Sequence, residues 1–436
     1  MTSLVDLKVM SDDHTDEIIS MVTSDRHVFL TGSGGTGKSY TLRHVYDNLS
    51  LRGMKVWKTG STGVAAESIG GITLHSWGGI GLADKSPKYY VDTMTAKVMN
   101  RWLTTEILII DEISMIGAKV FTLADQVGRL IRRKDKPFGG IILIICGDMC
   151  QLQPVKDEYI FTSELYHTMD FYVIRLSKPW RYQKDLDFFA LLSRARLGDL
   201  TPDDHELLYS RRKAYETEIK NKTFSDLEIK PTKLYSRRID VLEMNMAELH
   251  KIDEEEFKYS CTDNILRKVK TSRGIITGYQ EIMNKNVSPD VHLKKGAQVM
   301  LTANLDVSRG LCNGSRGVIL ECTDAFVTVK FKSCELNVTP HSWTIEDEEN
   351  IFTRTQFPLI LAWCITIHRS QSATLDSVIV DLGTSIFSAN MGYVALSRCR
   401  ELSGIYLINF IPEKIKCDPV AKEFELQMMI EEGYTE

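Results

Sequence analysis

Short unbroken apolar runs recur through the first 180 residues, each followed by a stretch whose apolar positions fall three and four apart. Residues 28–31, 56–59, 107–110, 141–146 and 172–176 carry little polar alternation, the pattern of strands buried on both faces. Helical spacing is clearest between them over residues 40–51 and 118–132. Apolar strands alternating with helices predict an α/β fold with a parallel sheet covered on both sides. A second alternation follows. Residues 188–196 and 240–249 read as helices, 232–235 as a strand, and strand–helix alternation resumes at Leu359 with strands near 359–363, 378–380 and 405–408. A helix over about residues 420–430 closes the pattern. Between these stretches the period changes: residues 298–301, 317–320 and 326–331 are short β-rich runs separated by Asn313-Gly314 and Thr323-Asp324 turns. They predict a small antiparallel barrel or meander inserted in the second half.

Composition narrows this picture only slightly. At 436 residues the chain exceeds one ordinary core, so about two to four domains are expected. No apolar run reaches the roughly eighteen residues that span a bilayer, and residues 1–13 lack the basic-then-apolar form of a secretory signal. Nine scattered cysteines, with no second pair to match Cys146 and Cys150 at zinc spacing, read as reduced thiols of an intracellular protein. The net charge of −5 neither supports nor excludes a nucleic-acid partner, because phosphate contacts act locally. The acid-rich stretches 253–256 and 346–349 read as solvated faces.

The chemistry begins where the first strand ends. Gly32-Ser33-Gly34-Gly35-Thr36-Gly37-Lys38-Ser39 fits the phosphate-loop pattern at every fixed position, between a strand and a helix. Its glycines let backbone N–H groups turn toward phosphate oxygens, and the helix start adds its positive dipole end. Lys38 is suited to the β- and γ-phosphates and Ser39 to Mg²⁺. The strand 107–110 ends in Asp111-Glu112. There Asp111 could hold Mg²⁺ and Glu112 could polarise an attacking water. Gln151, after the strand 141–146, stands where a side chain could sense the γ-phosphate. Arg181 and Arg398 could each reach a nucleotide from the other half of the chain; the alternative, a surface ion pair, is the commoner reading of a single arginine, with Arg181 balanced between the two. Three stretches suit single-stranded nucleic acid: residues 59–66 with Thr62 and Gly63, residues 70–77 with His75 and Trp77, and residues 367–372 with His368 and Ser370. The alternative for Trp77 is a place in the core, and for His75 a structural hydrogen bond.

In this order the stretches resemble the motifs of superfamily I helicases, most closely the PIF-one family of 5′→3′ DNA helicases. The resemblance runs from about Val28 to Phe410. It is most specific over Asp111-Glu112-Ile113-Ser114-Met115, Arg129, Arg132, Pro137-Phe138-Gly139-Gly140, Gly147-Asp148 and Gln151-Leu152. Gly70-Gly71-Ile72-Thr73-Leu74-His75, Asn313-Gly314-Ser315-Arg316-Gly317 and Val394-Ala395-Leu396-Ser397-Arg398 also match it. The resemblance implies two RecA-like domains with ATP and Mg²⁺ in the cleft between them. Residues 1–170 would form domain 1A, with a wedge insertion at about 79–100; residues 171–310 and 358–436 would form domain 2A; residues 311–357 would form an SH3-like insertion, 2B. Arg181 and Arg398 become γ-phosphate arginines and Gln151 the hydrolysis sensor. The implied enzyme is an ATP hydrolase unwinding tailed or forked duplex DNA from single strands. It would act as a monomer beside single-strand-binding or replication proteins, in a nucleus or at a viral or bacterial site of DNA replication, repair and recombination. A translocase that remodels protein–DNA complexes, or an ATP-gated binding module, would use the same residues. Two departures stand out. His14-Thr15 occupies the region of the family's adenine-reading glutamine, so strict ATP preference is not implied, and Ser372 replaces a glycine in the motif beginning at His368.

Overall fold

The computed structural model describes residues 14–432 apart from 82, 228, 268–278, 282, 285–286, 307–308, 310, 312, 347–349 and 372. The expectations placed on residues 1–13, 347–349 and 372 lie outside the described residues. The chain forms two compact units: residues up to Leu197 join those from Cys417 onward in the first, and Gly198–Lys416 form the second.

The first unit is built on six parallel strands: β1 (Val28–Thr31), β2 (Val56–Gly60), β3 (Ile72–Thr73), β4 (Ile107–Asp111), β5 (Ile142–Gly147) and β6 (Tyr172–Arg175), in the order β3-β2-β4-β5-β1-β6. The unbroken apolar runs have a simple explanation. Phe29, Leu108, Ile110, Leu143 and Ile145 face one buried cluster, whereas Val28, Leu30, Ile107, Ile109 and Ile144 face another. Successive side chains leave a strand on opposite faces, so a sheet covered on both sides needs apolar residues at every position.

β6 corrects the domain boundary read at residue 171. It pairs in parallel with β1, Val28 opposite Tyr172, and so belongs to the first unit. The helix Pro419–Glu431 belongs there too, since Phe424 stacks on Phe161 at 3.9 Å between ring centroids. The stretch read as a wedge carries the helices Pro87–Thr93 and Ala96–Thr104, whose Tyr90, Val98 and Trp102 join the first cluster.

In the second unit a parallel sheet is formed by β7 (Thr232–Tyr235) with the later strands Cys364–Thr366, Val378–Leu382 and Ile405–Phe410. The antiparallel part is wider than residues 311–357. It includes β8 (Phe257–Ser260), β9 (Thr262–Arg267), β10 (Asp290–Leu293) and β11 (Gln298–Leu301), followed by β12 (Arg316–Cys322), β13 (Val327–Phe331), β14 (Glu335–Val338), β15 (His341–Glu346), β16 (Asn350–Gln356) and β17 (Leu359–Leu361). The single strand expected over 359–363 is in fact two. β17 runs antiparallel to β11, and Cys364–Thr366 returns to the parallel sheet. The helix Pro202–Lys220 escaped the sequence pattern because only Asp204 and Leu208 along it are buried, leaving no continuous apolar stripe.

Candidate nucleotide and nucleic-acid site

The phosphate loop leaves β1 and enters the helix Lys38–Leu51. At Gly35 φ is +86°, and a Cβ there would lie 2.7 Å from the Cβ of Arg181. Only glycine meets both conditions. The loop is also closed by side chains: Thr36 Oγ1 donates to the Ser33 carbonyl at 2.9 Å, and Lys38 Nζ donates to the carbonyls of Gly32 and Ser33 at 2.7 and 2.9 Å. The Lys38 ammonium is thus already held against the loop that would carry phosphate.

The end of β4, one strand removed from β1 in the sheet, supplies the acids. Ser39 Oγ donates to Asp111 Oδ2 at 3.1 Å, joining the loop to β4. Asp111 is buried, and its Oδ1 accepts the backbone N–H of Glu112 at 2.8 Å. Burial first, then the Glu112 carboxylate, push the Asp111 carboxyl up to about 7, against the opposing pull of the Glu112 N–H, Lys38 and Ser39. Glu112 itself has φ +53° and ψ +48°. That left-handed conformation is costly for a residue with a Cβ, and strain of this sort gathers at functional sites. Burial holds the neighbouring Cys146 thiol well above its usual range, so Cys146 offers no thiolate here.

Beyond β5, Asp148 and Gln151 are both buried, with Gln151 Nε2 donating to Asp148 Oδ2 at 3.3 Å. Arg181 departs from the expectation that it comes from the other half of the chain. It lies in the same unit as the phosphate loop, and its backbone N–H donates to the Gly35 carbonyl at 3.1 Å. Trp180 packs beside Gly37, so the turn 180–182 braces the loop. In the second unit Arg398 is buried. Its Nε donates to the Val394 carbonyl at 2.7 Å, its Nη1 to the Ser370 carbonyl at 3.2 Å and its Nη2 to Ser397 Oγ at 2.6 Å.

The nucleic-acid residues divide. Thr62 Oγ1 accepts the Ala65 N–H at 3.2 Å and caps the helix Gly63–Ser68, leaving Thr62 and Gly63 partly exposed at the end of β2. His75 is partly exposed and His368 is exposed. Trp77 is not a stacking platform: it is 0% exposed and packs on Trp102 at 4.4 Å between ring centroids. Nor can the Ser370 hydroxyl reach a strand, being buried and donating to the Ile367 carbonyl at 2.7 Å. In both cases burial claimed a residue whose type suited nucleic acid, Trp77 in the apolar core and Ser370 in a backbone hydrogen bond. Sequence reasoning gave Asp148 no role of its own and passed over Arg196; the two form a buried ion pair at 2.8 Å. The position of Asp148 three residues before Gln151 was the available signal; nothing local marked Arg196.

A glycine loop between β1 and a helix, with an acid pair at the end of another parallel strand of the same sheet, defines a phosphate-loop nucleoside triphosphatase fold of RecA-like type. The profile of the PIF1-like helicase family matches residues 11–207, and that of the DNA helicase Pif1 2B domain matches residues 282–322. The ATP-dependent DNA helicase PIF1 of Xenopus laevis is 36% identical over 426 residues, covering 95% of this chain. The chain spans 64% of that relative's length. The crystal structure of Pif1 helicase from Candida albicans superposes with a TM-score of 0.79 at 31% identity, over 96% of this chain and 99% of that one. Pif1 helicase from Bacteroides, in complex with ADP-AlF3 and ssDNA, superposes with a TM-score of 0.69 at 28% identity, over 96% and 97% of the two chains. The chain belongs to the PIF1-like helicase family.

Proposed function

We propose that this chain is an ATP-dependent DNA helicase that translocates 5′→3′ on single strands and unwinds duplex at tails and forks. The observation that carries the reading is the Ser39–Asp111 contact, which joins a complete phosphate loop to the buried first acid of the Asp111-Glu112 pair. Its relatives include a Bacteroides Pif1 helicase solved with ADP-AlF3 and ssDNA.

The donor set fits magnesium. Ser39 and Asp111 present hard oxygen ligands, and a buried carboxylate beside Glu112 gains most from a neighbouring cation. Ser39 and Asp111 would hold Mg²⁺, which when bound neutralises charge on the β- and γ-phosphates. The remaining chemistry belongs to the chain. Backbone N–H groups from Gly32 to Ser39 bind the phosphates, and Lys38 exchanges its loop carbonyls for phosphate oxygens. Glu112 orients and polarises the attacking water, whose oxygen displaces ADP from the γ-phosphorus. Gln151 registers the γ-phosphate, and Arg181 and Arg398 offset its charge. Thr62, Gly63, His75 and His368 contact the DNA strand, while Trp77 acts through packing and the Ser370 hydroxyl through its bond to the Ile367 carbonyl.

Lys38→Ala tests the assignment. Single-strand-stimulated ATP hydrolysis is expected to fall by about a hundredfold or more, with single-strand affinity nearly unchanged. Near-normal turnover would remove the phosphate loop from the mechanism.

A further inference from the structure

The helix Pro419–Glu431 carries a glutamate into the interior of the first unit. Glu425 is 0% exposed. Its Oε1 accepts from Arg196 Nη1 at 2.9 Å and also from Arg175 Nη1, while its Oε2 is buried without a hydrogen-bond partner among the described residues. Arg175 is anchored again by Glu432, whose Oε2 accepts from its Nε at 2.7 Å. On the other side Arg196 Nε donates to Asp148 Oδ1 at 2.9 Å. That same Oδ1 accepts the Cys150 N–H at 3.1 Å, and Oδ2 takes Gln151 Nε2. A continuous buried chain of contacts therefore runs from Glu425 through Arg196 and Asp148 to Gln151.

Buried ion pairs of this kind add little stability over apolar residues of similar size, because desolvation opposes the Coulomb gain. What they supply is a fixed geometry. Burial pushes Asp148 up, and the Arg196 charge more than reverses this, so Asp148 stays ionised and able to hold both loop contacts. The stack of Phe424 on Phe161 fixes the register of the helix one residue before Glu425.

We propose that Glu425 is a positioning residue for Gln151: through Arg196 and Asp148 it sets the turn after β5, and so tunes how the site receives the γ-phosphate in its transition state. This rests on the reading of Gln151 as the γ-phosphate sensor. The charge on Glu425 balances Arg196 between two carboxylates. Without it Arg196 moves wholly onto Asp148, and the Gln151 contact shifts.

The test is a double-mutant cycle of Glu425→Gln and Gln151→Ala, read by affinity for ADP and for ADP with aluminium fluoride. Glu425→Gln keeps the shape and one acceptor oxygen. It is expected to weaken aluminium fluoride complex formation about tenfold, as a small misplacement of a reacting group does, while ADP affinity stays within about twofold. In the Gln151→Ala background the same substitution should have no further effect. Parallel loss of both affinities would mean a merely structural role and overturn the proposal. So would a tenfold deficit that persists without Gln151, or no deficit in either background. If Glu425→Gln does not fold, Arg196→Lys, which keeps the charge but not the paired contacts, carries the same expectations. Failure of the underlying reading is separable: the wild-type protein would then show no preference for the aluminium fluoride complex, or Gln151→Ala alone would leave that preference intact.

Discussion

His27 ties acid stability to the start of β1, an interior strand of the nucleotide-binding sheet. It precedes β1, and its Nδ1 accepts the backbone N–H of Leu143 at 3.0 Å, continuing the β1–β5 contact with a side chain. Its own carbonyl accepts the Tyr172 N–H at 2.8 Å on the β6 side. Burial lowers the imidazole from its ordinary value near 6.5 to about 4. The protonated ring would also turn an N–H against the Leu143 N–H. Because the folded value lies below the unfolded one, the unfolded chain binds the extra proton. The contribution is fully present above about pH 6.5 and is lost as pH falls toward 4. Between pH 7.5 and 5 the two values give a loss of about 2 kcal/mol. Urea denaturation of the wild type and His27→Gln across this range measures it, since glutamine can accept the hydrogen bond but cannot titrate. The wild type should lose about 2 kcal/mol more than the variant over that interval. Equal pH slopes in the two proteins would refute the reasoning.

Two further substitutions probe the site's walls. Gly35→Ala places a Cβ 2.7 Å from the Arg181 Cβ at φ +86°; nucleotide affinity by fluorescence titration should fall at least about tenfold, consistent with roughly 1–3 kcal/mol of backbone strain. Trp77→Phe should lower the unfolding free energy from urea denaturation by about 1–3 kcal/mol through lost core packing, yet leave single-strand affinity within twofold in an anisotropy titration.

The parts of the molecule legible in its sequence are those whose signal is local. β1, the phosphate loop and the acid pair of β4 are each fixed by fewer than about ten consecutive residues, and their buried face or glycine geometry leaves few alternatives. The unit boundary was not local. β6 looks the same from sequence whether it opens a new sheet or completes the old one, and only its pairing with β1 decides. The last described helix is the extreme case, because Arg196 and Glu425 meet across 229 positions. Trp77 and Ser370 show a different limit: residue type suggested a surface task, but burial depends on what packs above them. Arg181 shows a third, since a motif's order along the chain does not say which unit it serves.

The central claim, a motor that moves 5′→3′ on single-stranded DNA at the expense of ATP, is tested most directly by strand separation. Duplexes bearing a 5′ tail, a 3′ tail or no tail are incubated with the protein, magnesium and ATP, with Lys38→Ala as control. Release of the strand from the 5′-tailed duplex alone, absent with Lys38→Ala, is the predicted result. Release from the 3′-tailed duplex instead, or equal release by the variant, would contradict the account.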